Sequence, residues 1–597
     1  MEIQVDGEQW PMAAGCIGLA KLYSEEELPR TATGILLKDD ILDSLAEKFI
    51  RGLIDQFSVV KREVKKMMWY ADQANKQPER AEEFAAEVRK NMNNQYKKIE
   101  KYFSDTEECK RLKELLERLK DIKEPEEAPF IREYIEQYRE IASTPFINEK
   151  LTLNYVKAAI LNPFYGQTSI LQPVFNSKST EDHIRQMEAD FIQPAKLELM
   201  FAEKLDSAAN IQEIVAFLEE HKDYKPFKNL LKTIKKWANK DQVISYLRHE
   251  ILPCSFIEGL IATQSYEEMI FSPLAFSKKK AVNFNWNFDQ NLPVPISAVA
   301  RLILFMAPFG MAFYSRRLGN GQASETLHYA GMILSQKHFA EVIKENHTYQ
   351  KLRGEGLSFA EAIVGLLRES TDKAKKIKNS YLFLEVYSNY QMKKTLLDCY
   401  HMPAYLAQYV AEYGKSLDLL YYREHKDSFF RAVLKGIDPK ETIFAYLRMA
   451  IKNPHHARGA FFAVRERKRI LQAKKGAENM TNHDKTISDV YDLGRHLRKE
   501  LMKERMDGQE RRRYRAGGKK KIDGIAYRLL NEAKAGNIRG FMEMIFRVYL
   551  ASGLDVPSVF IDSFKEEGLD FETISSAFIA GLIGQEQTKN EGAVTSG

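Results

Sequence analysis

The chain has 597 residues, with 89 Lys and Arg against 83 Asp and Glu. Its 34 Phe, 28 Tyr and 44% hydrophobic residues exclude a mainly disordered chain, and at about 150 residues per domain the length suggests roughly four domains. Four cysteines, at 16, 109, 254 and 399, form no CxxC pair, which excludes a readable zinc ribbon and a disulfide framework.

The opening residues, MEIQVDGEQW, carry no basic stretch followed by an apolar run, so no secretory signal is expected. The stretch WPMAAGCIGL that follows is small and apolar and suits a tightly packed first element. TGILL at 33–37 reads as a short strand. Asp39 and Asp40 then open a long helix, with Ile41, Leu42, Leu45, Phe49, Leu53 and Ile54 on one stripe. Residues 79–122 read as a charged helical arm. Leu112, Leu115, Leu116 and Leu119 give it an apolar face, and KEPEEAP at 123–129 ends it. A loop at 161–172, LNPFYGQTSILQ, leads through Pro173 to Lys178. Residues 182–260 are again helical. The stretch 271–296, rich in Asn, Pro and aromatics, reads as a loop or strand region in which Phe284, Trp286 and Phe288 alternate toward a core. The apolar run 302–314 is interrupted by Pro308 and Gly310 and falls short of the ~20 residues of a membrane span, so it is expected to be core. Residues 325–450 read as helical throughout.

Four amphipathic helices close the chain. They are marked by Val490, Leu493, Leu497 and Leu501; by Ile522, Ile525, Ala526 and Leu529; by Phe541, Met544, Ile545, Val548 and Tyr549; and by Ile574, Phe578 and Leu582. The expected class is α+β, predominantly α, with a mixed α/β N-terminal region, a helical middle and a C-terminal helical bundle. The expected division is a body over 1–455, a basic linker over 456–479 and a bundle over 480–597.

Charge is uneven along the chain. Residues 1–450 hold 62 basic and 63 acidic residues, 451–540 hold 24 and 11, and 541–597 hold 3 and 9. One segment thus carries the whole basic excess. Its first cluster is Arg458, Arg465, Arg467, Lys468, Arg469, Lys474 and Lys475. Its second is Arg511, Arg512, Arg513, Arg515, Lys519, Lys520 and Lys521. Such density suits phosphate binding by counterion release, and it equally suits a solvated helix face or a flexible linker. The low density of interleaved acids favours nucleic acid for the second cluster.

Chemistry-bearing motifs are sparse. Gly518–Lys519 makes no Walker loop because Arg513 stands where glycine is required. His455–His456 and His483–Asp484 lack companion ligands and read as surface polarity. No GxSxG or HExxH motif occurs. A binding or scaffolding protein is therefore expected, with no catalytic residue, cofactor or metal. The four cysteines read as small buried hydrophobes in a reducing, cytoplasmic setting.

Several stretches together resemble one family, the large subunit of the type I-B CRISPR–Cas surveillance complex, Cascade. They are WPMAAGCIGLAKL, TGILLKDDILDSLAEKFI, LNPFYGQTSIL, FSPLAFSKKKAVNFNWNFDQNLPVPISAVARLILFMAPFG and LDFETISSAFIAGLIGQ. The last is similar to the end of the family's small-subunit-like helical region. Many relatives carry CxxC pairs around the middle stretch and bind zinc. This chain has none there, and apolar residues around 295–299 take the second pair's place, so no zinc is expected.

The resemblance implies a non-catalytic subunit of a ribonucleoprotein. Guide RNA reads the target by base pairing. The large subunit recognises the protospacer-adjacent motif on duplex DNA, promotes R-loop formation, holds the displaced strand and docks a helicase–nuclease, as in the division of labour of another effector class. Its other implied partners are backbone and guide-end-capping subunits and free small subunits, with no membrane.

Base reading needs polar side chains on a loop that reaches a groove. Asn162, Tyr165, Gly166 and Gln167 are the first candidates, with Asn176 and Lys178 following the phosphates; an ordinary turn explains them equally. Lys278, Lys279 and Lys280, beside Asn283, are the second, and Arg316 and Arg317 the third. In the basic segment, Arg465, Arg467, Lys468 and Arg469 join the 511–521 cluster as candidate phosphate contacts. Finally, KKGAENM at 474–480 permits a purine-rich message with AAGGAG shortly before ATG. Met480 is therefore a candidate internal start for a free small subunit. A metal-dependent nuclease with dispersed carboxylates and a generic RNA-binding scaffold are the rival readings.

Overall fold

The computed structural model describes residues 2–165, 169–237, 239–265, 294–318, 325–370, 380–389, 394–477, 479–502, 518–564 and 568–584. It is 72% helical with a few small antiparallel sheets, the predominantly α, α+β class expected. The chain divides into two compact units. The first is Met1–Met332, Lys337–Gln350 and Glu385–Asp398; the second is Ile333–Gln336, Lys351–Leu384 and Cys399–Gly597.

In the first unit, β1 (Glu2–Asp6) and β2 (Gly34–Lys38) pair antiparallel. β2 is the expected TGILL strand. β1 was not expected, although its alternating burial, with Ile3 and Val5 inward, is the period of a half-buried strand. Helix α1 (Trp10–Leu22) runs between them in sequence. Helix α2 (Leu42–Gln56) follows a short turn at Asp39–Ile41 and buries Leu45, Phe49 and Leu53 as expected.

The charged arm is α4 (Ala81–Phe103) and α5 (Glu107–Asp121). It shares one core with α3 (Val59–Lys76) and α6 (Ala128–Ala142), and that core contains Leu112, Leu115, Leu116 and Leu119. The arm is thus half of a four-helix layer. Helix α7 (Pro145–Tyr155) continues into a π-helical turn, Val156–Leu161. Beyond the candidate loop come α8 (Thr180–Met187), α9 (Gln193–Ser207), α10 (Ile211–Glu220), α11 (Lys225–Ile234) and α12 (Lys240–His249). Phe201, Ile214, Leu218, Phe227, Ile234 and Val243 form the core of this second helical layer. Strands β3 (Gln264–Ser265) and β4 (Pro295–Ile296) pair briefly, and most of the expected aromatic region at 271–296 lies outside the described residues.

The apolar run is core. It forms α13 (Ala298–Phe305), α14 (Ala307–Gly310) and the start of β5 (Ala312–Leu318). Small residues of α1 let its backbone touch this run. A Cβ on Gly15 would lie 2.2 Å from the Ile303 carbonyl oxygen, and one on Gly18 2.0 Å from that of Met306. A Cβ on Gly310 would lie 1.9 Å from the Ala14 carbonyl oxygen. Among the described residues, no helix is long and apolar enough to cross a membrane.

The expectation of helix throughout 325–450 is corrected. Strands β6 (Glu325–Ser335), β7 (Tyr381–Asn389) and β8 (Lys394–Met402) interrupt it, giving a sheet in the order β5-β6-β7-β8. Tyr, Phe and Val in YLFLEVYSN are strand formers, and that composition outweighs a helical reading of the same apolar residues. β6, β7 and β8 run through the division between the units. Helix α15 (Phe339–Gly354) does so as well.

In the second unit, α16 (Phe359–Ser370), α17 (Ala404–Tyr413), α18 (Arg423–Leu434) and α19 (Lys440–Lys452) precede α20 (Ala457–Lys474). The expected basic linker at 456–479 is therefore mostly an 18-residue helix, with Ala460, Phe462, Ala463, Val464 and Ile470 buried. Its apolar residues recur at helical spacing beneath the charges. The four expected closing helices are α21 (Asp484–Met502), α22 (Gly518–Lys534), α23 (Ile538–Ser552) and α24 (Phe571–Ile583). α24 is apolar almost all round and is packed by α19, α20, α21 and α22. The bundle consequently does not close within 480–597.

Gly18→Ala should lower the thermal midpoint, with an overpacking cost on the order of 1–3 kcal/mol. Gly524→Ala, where a Cβ meets no atom within 4 Å in the interior of α22, should hold or raise it. Melting both variants beside the parent checks the backbone contact of α1.

Candidate nucleic-acid interface

Two of the predicted loop residues are anchors. Tyr165 is buried, with its ring 5.5 Å from that of Phe305, and the neighbouring Phe164 lies 5.6 Å from Phe313. Phe305 in turn stacks on Phe191 at 4.4 Å and meets Phe49 at 5.4 Å. Tyr165 is therefore corrected from a surface contact to a core residue: its ring is worth more against other rings than in water. Asn162 is half-buried and closes the π turn, its N–H donating to the Lys157 carbonyl at 2.8 Å. Gly166 and Gln167 lie outside the described residues. Asn176 and Lys178 are exposed, at the far end of the segment.

Beside that end lies a cavity of about 330 Å³. Helix α7 lines it with Phe146, Lys150 and Asn154, spaced four residues apart and so on one face. The end of α4 adds Tyr102 and Phe103, and the entry to α8 adds Ser179 and His183. The Phe103 and Phe146 rings meet edge to face at 4.9 Å. Lys150 donates to the Lys178 carbonyl, and its ammonium is 5.6 Å from the Tyr102 ring centre. Asn154 donates through Nδ2 to the Asn176 carbonyl at 3.3 Å. The cavity thus pins both exposed loop residues by their backbone.

Behind it sits Lys157, paired with the lining His183; both are buried, with Nζ 3.1 Å from Nε2. His183 Nδ1–H donates to the Ser179 carbonyl at 2.6 Å, which leaves Nε2 to accept from the Lys157 ammonium. Burial pushes His183 down to about 4 and Lys157 down to about 8. At neutral pH this pair is a fixed, singly charged wall. None of Tyr102, Phe103, Phe146, Lys150 and Asn154 was a sequence candidate. The spacing 146, 150, 154 is a readable signal, but the approach of α4 to that face is not.

The first basic cluster is corrected. Arg467, Lys468 and Arg469 are buried within the second unit and paired. Arg467 donates to both oxygens of Asp438 at 2.6 Å and to Asp570 at 2.6 Å. Lys468 donates to the Gly568 carbonyl at 3.0 Å. Arg469 pairs with Asp484 and with Glu466, whose other partners are Arg465 at 2.9 Å and the Tyr409 hydroxyl at 2.6 Å. Their positive charge is satisfied internally, because a buried guanidinium without a carboxylate would be prohibitive. The two His motifs differ from surface polarity in the same way. His456 is buried and stacks on Tyr422 at 3.7 Å, and Asp484 belongs to the Arg469 pair.

Lys519, Lys520 and Lys521 are exposed in the first turn of α22. Arg511, Arg512, Arg513 and Arg515 lie outside the described residues, as do Lys278, Lys279, Lys280 and Asn283. Arg316 and Arg317 register against Leu327 and Thr326 across β5 and β6. Three cysteines are buried: Cys16, Cys109 and Cys254. Cys399 is exposed. Among the described residues, no three His, Cys, Asp or Glu side chains gather as a metal-ion site.

No protein-family model, curated protein or solved structure matches this chain.

Removing Arg467 tests the internal role of the cluster. Burial alone would raise the Asp570 carboxyl, but the Arg467 charge and hydrogen bond overrule it and hold it at about 2. Its folded value lies below the ordinary one, so the stabilisation is present above the ordinary range and lost as pH falls through about 2. Arg467→Ala should cost about 3–5 kcal/mol, by leaving Asp438 without its guanidinium and Asp570 with Lys468 as its one cation. It should also move the acid unfolding limb of the second unit to higher pH. Urea midpoints measured from pH 2 to 7 check both.

Proposed function

We propose that this chain is the non-catalytic large subunit of a type I-B CRISPR Cascade, a surveillance complex of antiviral defence in the cytoplasm. It recognises the protospacer-adjacent motif on duplex DNA, promotes R-loop formation, holds the displaced strand and docks a helicase–nuclease. Guide RNA, target DNA, backbone and guide-end-capping subunits and free small subunits are its partners.

The observation that carries this reading is the division within segment 162–178. Phe164 and Tyr165 are clamped in an aromatic core, while Asn176 and Lys178 reach solvent. Exposed polar residues beyond a rigid base are what holding a phosphate backbone in fixed register requires. The end-to-end resemblance of the sequence supports the same reading. Lys519, Lys520 and Lys521 offer sequence-independent phosphate contact at the start of α22.

Replacing Lys519, Lys520 and Lys521 with glutamine should weaken DNA binding alike on all sequences, and flatten the plot of log affinity against log salt by up to about three units. Asn162→Ala and Gln167→Ala should instead relax the choice of motif. Affinity measured on duplexes with varied motifs at several salt concentrations separates the two effects. Steady cleavage of DNA by the isolated chain with Mg²⁺ or Mn²⁺ would favour the metal-dependent nuclease. Binding indifferent to the duplex motif would favour the RNA-binding scaffold. The product Met480–Gly597 belongs to the proposal too, and its absence from a denaturing gel of the purified complex would remove it.

A further inference from the structure

We propose that the cavity between α4, α7 and the entry to α8 is a pocket for one unpaired nucleobase of a bound strand. This rests on the nucleic-acid reading above and names what that site holds.

The cavity, at about 330 Å³, is at the small end of ligand sites and suits a single ring system rather than a long chain. Its apolar side is aromatic: Tyr102, Phe103 and Phe146 line it. Phe146 is 38% exposed, so a ring inserted beside it covers apolar surface now in water. The edge-to-face pair of Phe103 and Phe146 holds that wall in a defined orientation.

The polar side is an edge reader. Asn154 spends Nδ2 on the Asn176 carbonyl and retains Oδ1 as an acceptor. Lys150 spends one N–H on the Lys178 carbonyl and retains others as donors. An acceptor and a donor one helical turn apart match the mixed donors and acceptors of a base edge.

Charge selects a base over a free nucleotide. Lys150 and Lys178 in the lining are matched by Glu149 and Glu181. Glu149 is itself engaged, accepting from the Thr180 hydroxyl. The lining itself is thus near-neutral, with the one Lys157 ammonium behind it engaged by His183 Nε2, and it accommodates an uncharged ring. The exposed Lys178 in the lining, and the exposed Lys101 beside Tyr102, are cations available to the phosphates that flank that ring. The ammonium of Lys101 lies 5.5 Å from the Tyr102 ring centre.

The test uses the full chain and a DNA duplex with one unpaired 2-aminopurine bulge. Binding should quench its fluorescence, and this duplex should bind about tenfold tighter than one whose bulge is abasic, the scale of one stacked base. Phe146→Ala and Asn154→Ala should each abolish most of the quench and the preference, with unchanged melting curves. Should Phe146→Ala disturb folding, Asn154→Ala decides. Equal affinity for the intact and abasic bulges, or full quench in a folded Asn154→Ala variant, would overturn the pocket. So would binding of deoxyadenosine monophosphate as tight as that of the bulged duplex. Failure of the parent to prefer any duplex motif, with the quench intact, would instead sink the proposed role and leave the pocket standing.

Discussion

The backbone contact between α1 and the run 298–310 is the constraint on which the first unit depends. Gly15, Gly18 and Gly310 each face a carbonyl at a distance that no Cβ could occupy. That approach seats α13 and α14, and with them Phe305 and Phe309. Phe305 is the hub against which Phe49, Phe191 and Tyr165 pack. Tyr165 in turn fixes the base of the candidate loop. A substitution in the first 20 residues of the chain therefore reaches Tyr165 through packing alone, because close-packed interiors transmit displacement.

The second unit depends on a different interaction, the pairing of α20 with carboxylates. The basic excess of 451–540 is real along the sequence but partly cancelled in space. Asp438 precedes that segment and Asp570 follows it, and both converge on Arg467. Lys440 and Glu572, also outside the segment, pair at 3.2 Å. A charge map of the linear chain overstates the positive surface. What remains for phosphate among the described residues of the segment lies at such places as Lys519 to Lys521, Lys474 and Lys475, which are exposed.

Much of the fold was legible because its signals are local. Period-3.6 stripes marked α2, α5 and the four closing helices, and the small residues of α1 announced close packing. What was not legible depends on partners distant in sequence. The strands β6, β7 and β8 are apolar runs whose period alone does not separate strand from helix. Arg467 reads as a free cation until Asp438 and Asp570 arrive from 29 residues before it and 103 after it. Of the candidate site, Asn176 and Lys178 were readable as exposed polar loop residues. The cavity beside them was not, because Tyr102 and Phe103 belong to an arm whose charged surface suggested only a structural role.

The same dependence on distant partners bears on the proposed internal start. Met480 lies between α20 and α21, so a product beginning there keeps α21 to α24 but loses α19 and α20. Within the full chain α24 is covered by both lost helices, and Asp570 at its N-cap is held by Arg467 and Lys468. Without them, the close crossing of α21 and α24 survives, where a Cβ on Gly581 would lie 1.9 Å from the Tyr491 carbonyl oxygen. One side of a largely apolar helix and a carboxylate stripped of its cations are then exposed together. Such a face is stable in water only when something covers it. The bundle within the chain and the same residues as a free product are thus physically different objects: the first is completed by α20, the second only by a partner.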